Sequence, residues 1–293
     1  MRITVFTPAY NRAYRIETLY QSLRKQTFRD FEWIVVDDGS TDNTKELFAC
    51  FQNEENDFPI RYEKTSNGGK HRAINRGVSM AEGELFFIVD SDDYLTDNAL
   101  ETVDQIEKSI PSNKKQSFAG VCGQRGYTTE LAIGSTFSED IIDATSLQRC
   151  NLGIKGDKAE VFYTDVLRRY PFPEFPGENF ITECVVWDKI AADGLLLRFF
   201  NEIIYICEYL PDGLTAHEAE LFYKNPWGHG LYLYQTVKYR RITGLQMWNL
   251  YYQFYRKHCK DSSLMEISKY IKMNPIRFVL RMRGLDLFYK LYD

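Results

Sequence analysis

No C-x-x-C pair occurs in this 293-residue sequence, and its six cysteines are too few and too scattered for a disulfide scaffold or a zinc knuckle. A reducing cytosol is the expected setting. No apolar run is long enough to span a bilayer, since the most apolar later stretch, 195–207, is interrupted by Arg198, Asn201 and Glu202. The opening MRITVFTPAY has one charge and a short apolar run without the pattern of a secretory signal, which adds to the expectation of a cytoplasmic location. Also missing are G-x-x-x-x-G-K-[ST], G-x-G-x-x-G, G-x-S-x-G and H-E-x-x-H. The chain is therefore neither a P-loop protein nor a bearer of a familiar nucleophile or zinc-protease arrangement. Internal repeats and low-complexity segments are absent too. With 44% hydrophobic and 26% charged residues, what remains is an ordinary globular chain of one large domain or two modest ones.

The net charge of −5 conceals an asymmetry. Residues 224–293 hold 13 Lys or Arg against 4 Asp or Glu, or +9, whereas residues 1–223 hold 23 against 37, or −14. The basic tail also carries 14 of the aromatic residues, among them Trp227, Trp248, Tyr251, Tyr252 and Phe254. Such a mixture suits either an anionic membrane surface or a small helical core built from rings. Its basic residues alternate with apolar ones at helical spacing and match no nucleic-acid reader motif, so nucleic acid is not expected as a partner.

The first hundred residues alternate strand and helix signals. Strands are expected at 3–7, 31–36, 60–64 and 85–89, with helices at 12–26, after 42, and at 70–81. This rhythm predicts a mainly parallel sheet flanked by helices on both faces, and ligands in such sheets bind beyond the carboxyl ends of the strands. Further along, a helix from 96 and a strand at 118–122 are expected, followed by a proline-enforced loop at 170–179 and a helix over 181–192 with Glu183 in its first turn. The run 195–209 reads as two short strands with a turn at Asn201 and Glu202, and beyond Leu214 the pattern is helical, with Pro275 starting a helix.

Each polar cluster follows one of the first four strands: Thr7 to Arg12, Asp37 to Asp42, Asn67 to His71 and Asp90 to Asp93. In Asp90-Ser91-Asp92-Asp93, three carboxylates within four residues repel one another unless a cation relieves them, and a hard divalent ion bridging to a diphosphate would do so. An acidic turn ahead of a helix is the plainer alternative. Asp38 can accept from a base N–H or a ribose hydroxyl, or simply cap the next helix. In the first cluster Tyr10 offers a ring to stack on a base and Arg12 a cation near phosphate. Gly68, Gly69 and Lys70 open a helix whose amides suit a pyrophosphate. As general base, Glu183 is the best candidate, with Glu178 and Asp188 as rivals; a carboxylate serving a positive helix end is the alternative for each. A lone His217 is more often structural than a ligand.

In this order, TPAYNR at 7–12, DDGSTD at 37–42, NGGKHRAINRG at 67–77 and DSDD at 90–93 resemble family 2 glycosyltransferases of the GT-A fold. The likeness continues more weakly through FPGENFITE at 175–183 and EYLPDGLT at 208–215. It implies an α/β GT-A fold over residues 1–215, divided into a nucleotide-sugar half at 1–95 and an acceptor half at 96–215, with a helical C-terminal extension at 216–293. It also implies inverting transfer from a nucleotide-sugar, usually a UDP-sugar, with Mn2+ or Mg2+ on the diphosphate, to a glycan or lipid-linked acceptor of a cell-surface polysaccharide. A place at the inner leaflet through the basic tail would fit. Carried over by position, Pro8, Ala9, Tyr10 and Arg12 would line the nucleotide pocket and Asp38 would read the base. Asn67, Gly68, Lys70 and Ser91 would lie beside the donor, and Asp90, Asp92 and Asp93 would form the metal motif. The family's base commonly sits in a Glu-Asp pair, whereas Glu183-Cys184 stands here, leaving Glu183 as the implied base. A sugar-nucleotide nucleotidyltransferase, or a binding protein without catalysis, are the competing readings. TPAYNR stands where the former would carry a glycine-rich basic stretch.

Overall fold

The structure is a computed structural model that describes residues 1–208 and 217–292, with side chains described as far as 287. Two compact units emerge. The first comprises residues 1–172 and 190–211, the second 173–189 and 212–293. The segment 173–189, assigned from sequence to the first domain, thus groups with the C-terminal helices. The boundary expected at 215 and the stretch 209–216 lie outside the described residues.

The first unit is built on a sheet of nine strands among the described residues. β1 (Ile3–Ala9), β2 (Phe31–Asp37), β3 (Ile60–Lys64) and β4 (Leu85–Ile88) run parallel in the order β3-β2-β1-β4. β1, β2 and β4 are buried along their whole length, which is why their sequences read as continuous apolar runs rather than alternating ones. Side chains alternate across the sheet. Val5, Trp33, Val35 and Phe87 share one core with α1 (Ile16–Arg24), α2 (Thr44–Asn53) and α4 (Ala99–Lys108) through Leu19, Leu23, Phe48, Phe51, Leu100 and Val103. On the opposite face Phe6 meets α3 (Lys70–Met80) so closely that a Cβ on Gly77 would fall 2.1 Å from its ring. Trp33 is fully buried, and its indole N–H is satisfied by Thr7 Oγ1 at 3.0 Å.

Beyond β4 the sheet becomes mixed. β8 (Lys158–Tyr163) inserts antiparallel between β4 and β6 (Phe118–Gly126), and β9 (Leu196–Ile206) runs parallel to β6. The short β5 (Tyr94–Leu95) and β7 (Ile141–Ala144) pair antiparallel with β9. The expectation of two strands with a turn at Asn201 and Glu202 is corrected: 196–206 is one strand, and its pairing with β6 shifts register between Cys122 and Gln124. The irregularity that looked like a turn is a bulge. Asn201 lies at that bulge, its side chain donating to the carbonyls of Phe137 and Glu139. α5 (Thr164–Arg169) follows β8.

The second unit holds α7 (Glu218–Lys224), α8 (Pro226–Tyr239), α9 (Gly244–His258), α10 (Leu264–Tyr270) and α11 (Pro275–Tyr292). Trp248, Tyr251, Tyr252 and Phe254 of α9 pack with Leu233, Val237, Ile267, Ile271, Phe278, Met282 and Leu285. Trp248, Tyr251, Tyr252, Phe254 and Phe278 of the tail are therefore part of a core, whereas Trp227 is 38% exposed. Among the described residues no helix is long and apolar enough to cross a membrane. α6 (Cys184–Ala192) begins one residue after Glu183, whose carbonyl accepts from Val186 and Trp187. Glu183 thus occupies the capping position ahead of the helix rather than its first turn.

Candidate active site

Parallel pairing places the four polar clusters at one edge of the sheet, and hydrogen bonds then join their loops. Asp38 donates its backbone N–H to Ala9 O at 2.8 Å. Its carboxylate accepts from the backbone amides of Gly68 and Gly69, both at 2.7 Å, and Asn67 Nδ2 donates to its carbonyl at 2.9 Å. Gly39, at φ 84°, could carry no side chain, because a Cβ would stand 2.7 Å from Asn67 N. Burial raises the Asp38 carboxyl above its ordinary range although the two amides pull it back. Asn11, itself at φ 52°, donates its N–H to Ser40 Oγ at 2.8 Å and accepts from Thr41 N at 2.7 Å. The loops after β1, β2 and β3 are thereby one hydrogen-bonded rim. Beneath it Asp37 is fully buried, taking Ser40 N at 2.7 Å and the Tyr62 hydroxyl at 2.5 Å.

The candidate residues differ in what they expose. Pro8 and Ala9 are buried within β1, and Ser91 is buried in the turn after β4. Tyr10 is 48% exposed, and the Arg12 guanidinium carbon lies 6.0 Å from the centre of the Tyr14 ring. Lys70, the first residue of α3, reaches Asp90 Oδ1 at 2.7 Å, so a positive helix end and an ammonium stand beside the acidic turn. Burial opposes the charged form of Asp90, but Lys70 and then Arg125 outweigh it and hold the carboxyl below the usual range. Asp92 is raised by burial and by the charge of Asp90, with Arg12 and Lys70 opposing. Asp93 is pushed up to about 7 by burial and by Asp90.

Asp93 faces inward. Its two oxygens accept from the Tyr205 hydroxyl at 2.7 Å and from Glu208 N at 2.8 Å, and Tyr205 in turn accepts from Asp90 N at 2.9 Å. The guanidinium of Arg125 lies 4.2 Å from the centre of the Tyr205 ring and 3.9 Å from Asp90 Oδ2. Glu208 pairs with Arg15. Arg125, Tyr205 and Glu208 were not singled out from sequence. The available signal was a lone charged residue, Arg125, in the strand 118–126 and a tyrosine amid 203–207. Among the described residues no three His, Cys, Asp or Glu side chains converge as a metal group. A cation at this turn would be met by two carboxylates, Asp90 and Asp92, rather than by the triad. Those two still suit a hard divalent ion, since carboxylate oxygens are the donors such an ion prefers, although Lys70 already relieves part of the charge on Asp90.

In the second unit, Glu178 is buried, and its oxygens accept from Trp227 N at 2.6 Å and Gly228 N at 2.8 Å, the first amides of α8. The helix-end role set against each base candidate is thus the one Glu178 fills. Asp188 is buried, Glu183 is half-buried, and His217 immediately precedes α7.

A mixed α/β sheet with four polar loops at the carboxyl ends of its parallel strands, the last of them an acidic turn, matches the architecture of GT-A-type glycosyltransferases. Solved structures agree with it. TarS 1–349 of S. aureus in complex with UDP-GlcNAc superposes with a TM-score of 0.61 at 18% identity, over 98% of this chain and 92% of that one. A mannosyltransferase of Pyrobaculum calidifontis in complex with GDP-Man and Mn2+ gives 0.55 at 17%, over 99% and 88%.

Residues 4–125 match Glycosyl transferase family 2, and that region of the chain is of this family. Glycosyltransferase GlyG of Streptococcus pneumoniae is 39% identical over 103 residues, 35% of this chain and 34% of GlyG. The poly(ribitol-phosphate) β-N-acetylglucosaminyltransferase TarS of Staphylococcus aureus is 38% identical over 102 residues, 34% of this chain and 18% of TarS. An uncharacterized glycosyltransferase of Nostoc sp. is 32% identical over 226 residues, 76% of this chain and 65% of that protein. The chain matches only about a third or less of the length of GlyG and TarS.

Proposed function

We propose that this protein is an inverting glycosyltransferase that moves a sugar from a nucleotide-sugar, in the first instance a UDP-sugar, to a hydroxyl of a glycan or lipid-linked acceptor during cell-surface polysaccharide synthesis. It works on the cytoplasmic side of the membrane, with its basic helices resting on the inner leaflet. The observation that carries the transfer chemistry is the pairing of Lys70, at the start of α3, with Asp90 of the acidic turn at 2.7 Å. A cation and a positive helix end beside the acidic turn are the groups that would stabilise a diphosphate leaving group as it gathers charge.

In this reading Tyr10 stacks on the base, Arg12 faces the phosphates, and the rim of Asp38, Asn67 and Gly68 receives the nucleoside. Asp38 already accepts two amide bonds, so what it presents to a base or ribose is the remaining lone pairs of a fixed carboxylate. Asp92 with Asp90 would hold Mn2+ or Mg2+, and Asp93, tied to Tyr205, holds the turn in shape behind them. When bound, the ion supplies Lewis-acid stabilisation of the diphosphate. Lys70 and the amides of α3 share that load, and the departing diphosphate leaves as Glu183 takes the proton of the acceptor hydroxyl. A single displacement inverts the anomeric centre without a covalent enzyme intermediate, in keeping with the missing nucleophile motifs.

The supporting relative is TarS, named as a poly(ribitol-phosphate) β-N-acetylglucosaminyltransferase. The deciding experiment is a screen of UDP-, GDP- and dTDP-sugars with and without Mn2+, following nucleotide release and binding together. Metal-dependent release from one donor, abolished in Asp92→Asn, supports the reading. Glu183→Gln is expected to lower turnover about 100-fold or more while donor affinity stays within about twofold. Equal loss of donor binding in Glu183→Gln would remove it as the base, and no binding of any donor would remove the reading altogether.

A further inference from the structure

We propose that the outer face of α11 inserts into an anionic lipid bilayer and seats the helical unit on it. This deepens the inner-leaflet placement in the proposed function and requires neither donor nor acceptor to be tested. α11 is apolar on two sides. Phe278, Met282 and Leu285 are buried in the core of the unit. Ile276, Leu280 and Leu287 are 73%, 69% and 63% exposed. At about 100° per residue, Ile276, Leu280, Arg283 and Leu287 fall in one sector about 60° wide, and the buried trio fills the sector opposite. A helix that packs by one face alone would carry polar residues on the other.

One flank of that stripe is cationic, while the other holds Val279 and Asp286. Arg277 and Arg281 stand at its side, with their guanidinium carbons 5.8 and 5.3 Å from the Trp248 ring centre, and Arg283 lies within the stripe itself. The one acidic residue between 275 and 287, Asp286, is occupied elsewhere, accepting from the hydroxyls of Tyr252 at 3.0 Å and Tyr255 at 2.9 Å. The exposed face therefore presents branched aliphatic side chains and arginines with no carboxylate among them, within a segment of net charge +9. Aliphatic groups on this face match acyl chains, while arginines that snorkel match lipid phosphates. A second copy of the same face would meet it with like charge, which argues for lipid as the occupant.

The test is sedimentation of the full chain with vesicles of phosphatidylcholine alone or mixed equally with phosphatidylglycerol. Binding is expected to the mixed vesicles only, and to weaken as salt rises and the Debye length falls below about 10 Å. The variant I276Q/L280Q/L287Q is expected to lose about tenfold or more in partitioning, and Arg283→Glu about fivefold or more. Circular dichroism and unfolding curves should match those of the parent, because all four side chains are exposed. Absence of binding at low salt, or binding undiminished in the triple variant, overturns the proposal. So does concentration-dependent self-association that the triple variant abolishes, which would make the stripe an interface between copies. Vesicle binding by a chain that releases no nucleotide would sustain this inference while the transferase reading failed.

Discussion

Replacing Tyr205 with Phe should loosen the acidic turn without touching any carboxylate in it. The ring is fully buried, so the phenyl group retains its packing and only the hydroxyl is lost. That hydroxyl donates to Asp93 Oδ2 at 2.7 Å and accepts from Asp90 N at 2.9 Å. Its removal leaves one buried carboxylate oxygen and one backbone N–H unsatisfied. A bond to a charged group is worth about 1.5–3 kcal/mol and a lost backbone partner about 1 kcal/mol, so the variant should be about 2–4 kcal/mol less stable. Urea unfolding measures this, and a double-mutant cycle with Asp93→Asn isolates the Asp93 part. The coupling should be about 1–3 kcal/mol, because both changes act on the same Tyr205–Asp93 bond. Donor affinity should fall alongside, since Asp90 is held through its backbone by the same hydroxyl. A coupling below about 0.5 kcal/mol, or a Tyr205→Phe protein as stable as the parent, would refute the claim that this bridge sets the turn.

Two further outcomes concern the helical unit. His229 Nδ1 and His258 Nε2 lie 3.1 Å apart, and burial holds them neutral, with pKa values lowered to about 3 and about 4; the charge of Lys257 lowers both, while Asp261 raises His258. The unfolded chain, with ordinary values near 6.5, binds more protons than the folded one below that pH. The stability is therefore fully present above pH 6.5 and lost as pH falls toward 4, by about 2 kcal/mol per ring at pH 5. Unfolding curves from pH 7 to 5 check this, and a slope unchanged by replacing both rings with Gln would contradict it. Separately, Glu178→Ala should cost about 2 kcal/mol by stripping the first amides of α8, whereas Glu178→Gln keeps one acceptor and should cost less. Turnover at saturating donor and acceptor should change little in Glu178→Gln; a loss comparable to that in Glu183→Gln would reassign the base.

The parallel half of the sheet was legible because its signals are local. A buried strand such as Phe31–Asp37 announces itself by an unbroken apolar run, and an amphipathic helix such as Lys70–Met80 by its spacing, each within a dozen residues. The polar clusters were legible for the same reason, since each lies directly after a strand and parallel pairing carries them all to one edge. The strand at 196–206 was misread because its bulge imitates a turn, and only its partner β6 shows the pairing continuing past it.

Sequence by itself determined the order of strands and helices in the first hundred residues, the four loops that meet at the carboxyl edge, and the basic, ring-rich character of the tail. Tertiary structure alone decided which carboxylates face solvent and which are committed. Asp93 is bound by Tyr205, 112 positions away, and Glu178 by the amides of Trp227 and Gly228, about 50 positions on. It also decided that Arg125 lies against Tyr205 and Asp90, through the antiparallel insertion of β8 between β4 and β6. The physical reason is one of range. Periodicity and turn chemistry act over a few residues, whereas a buried charge is settled by whichever distant partner the packed chain brings within 3 Å.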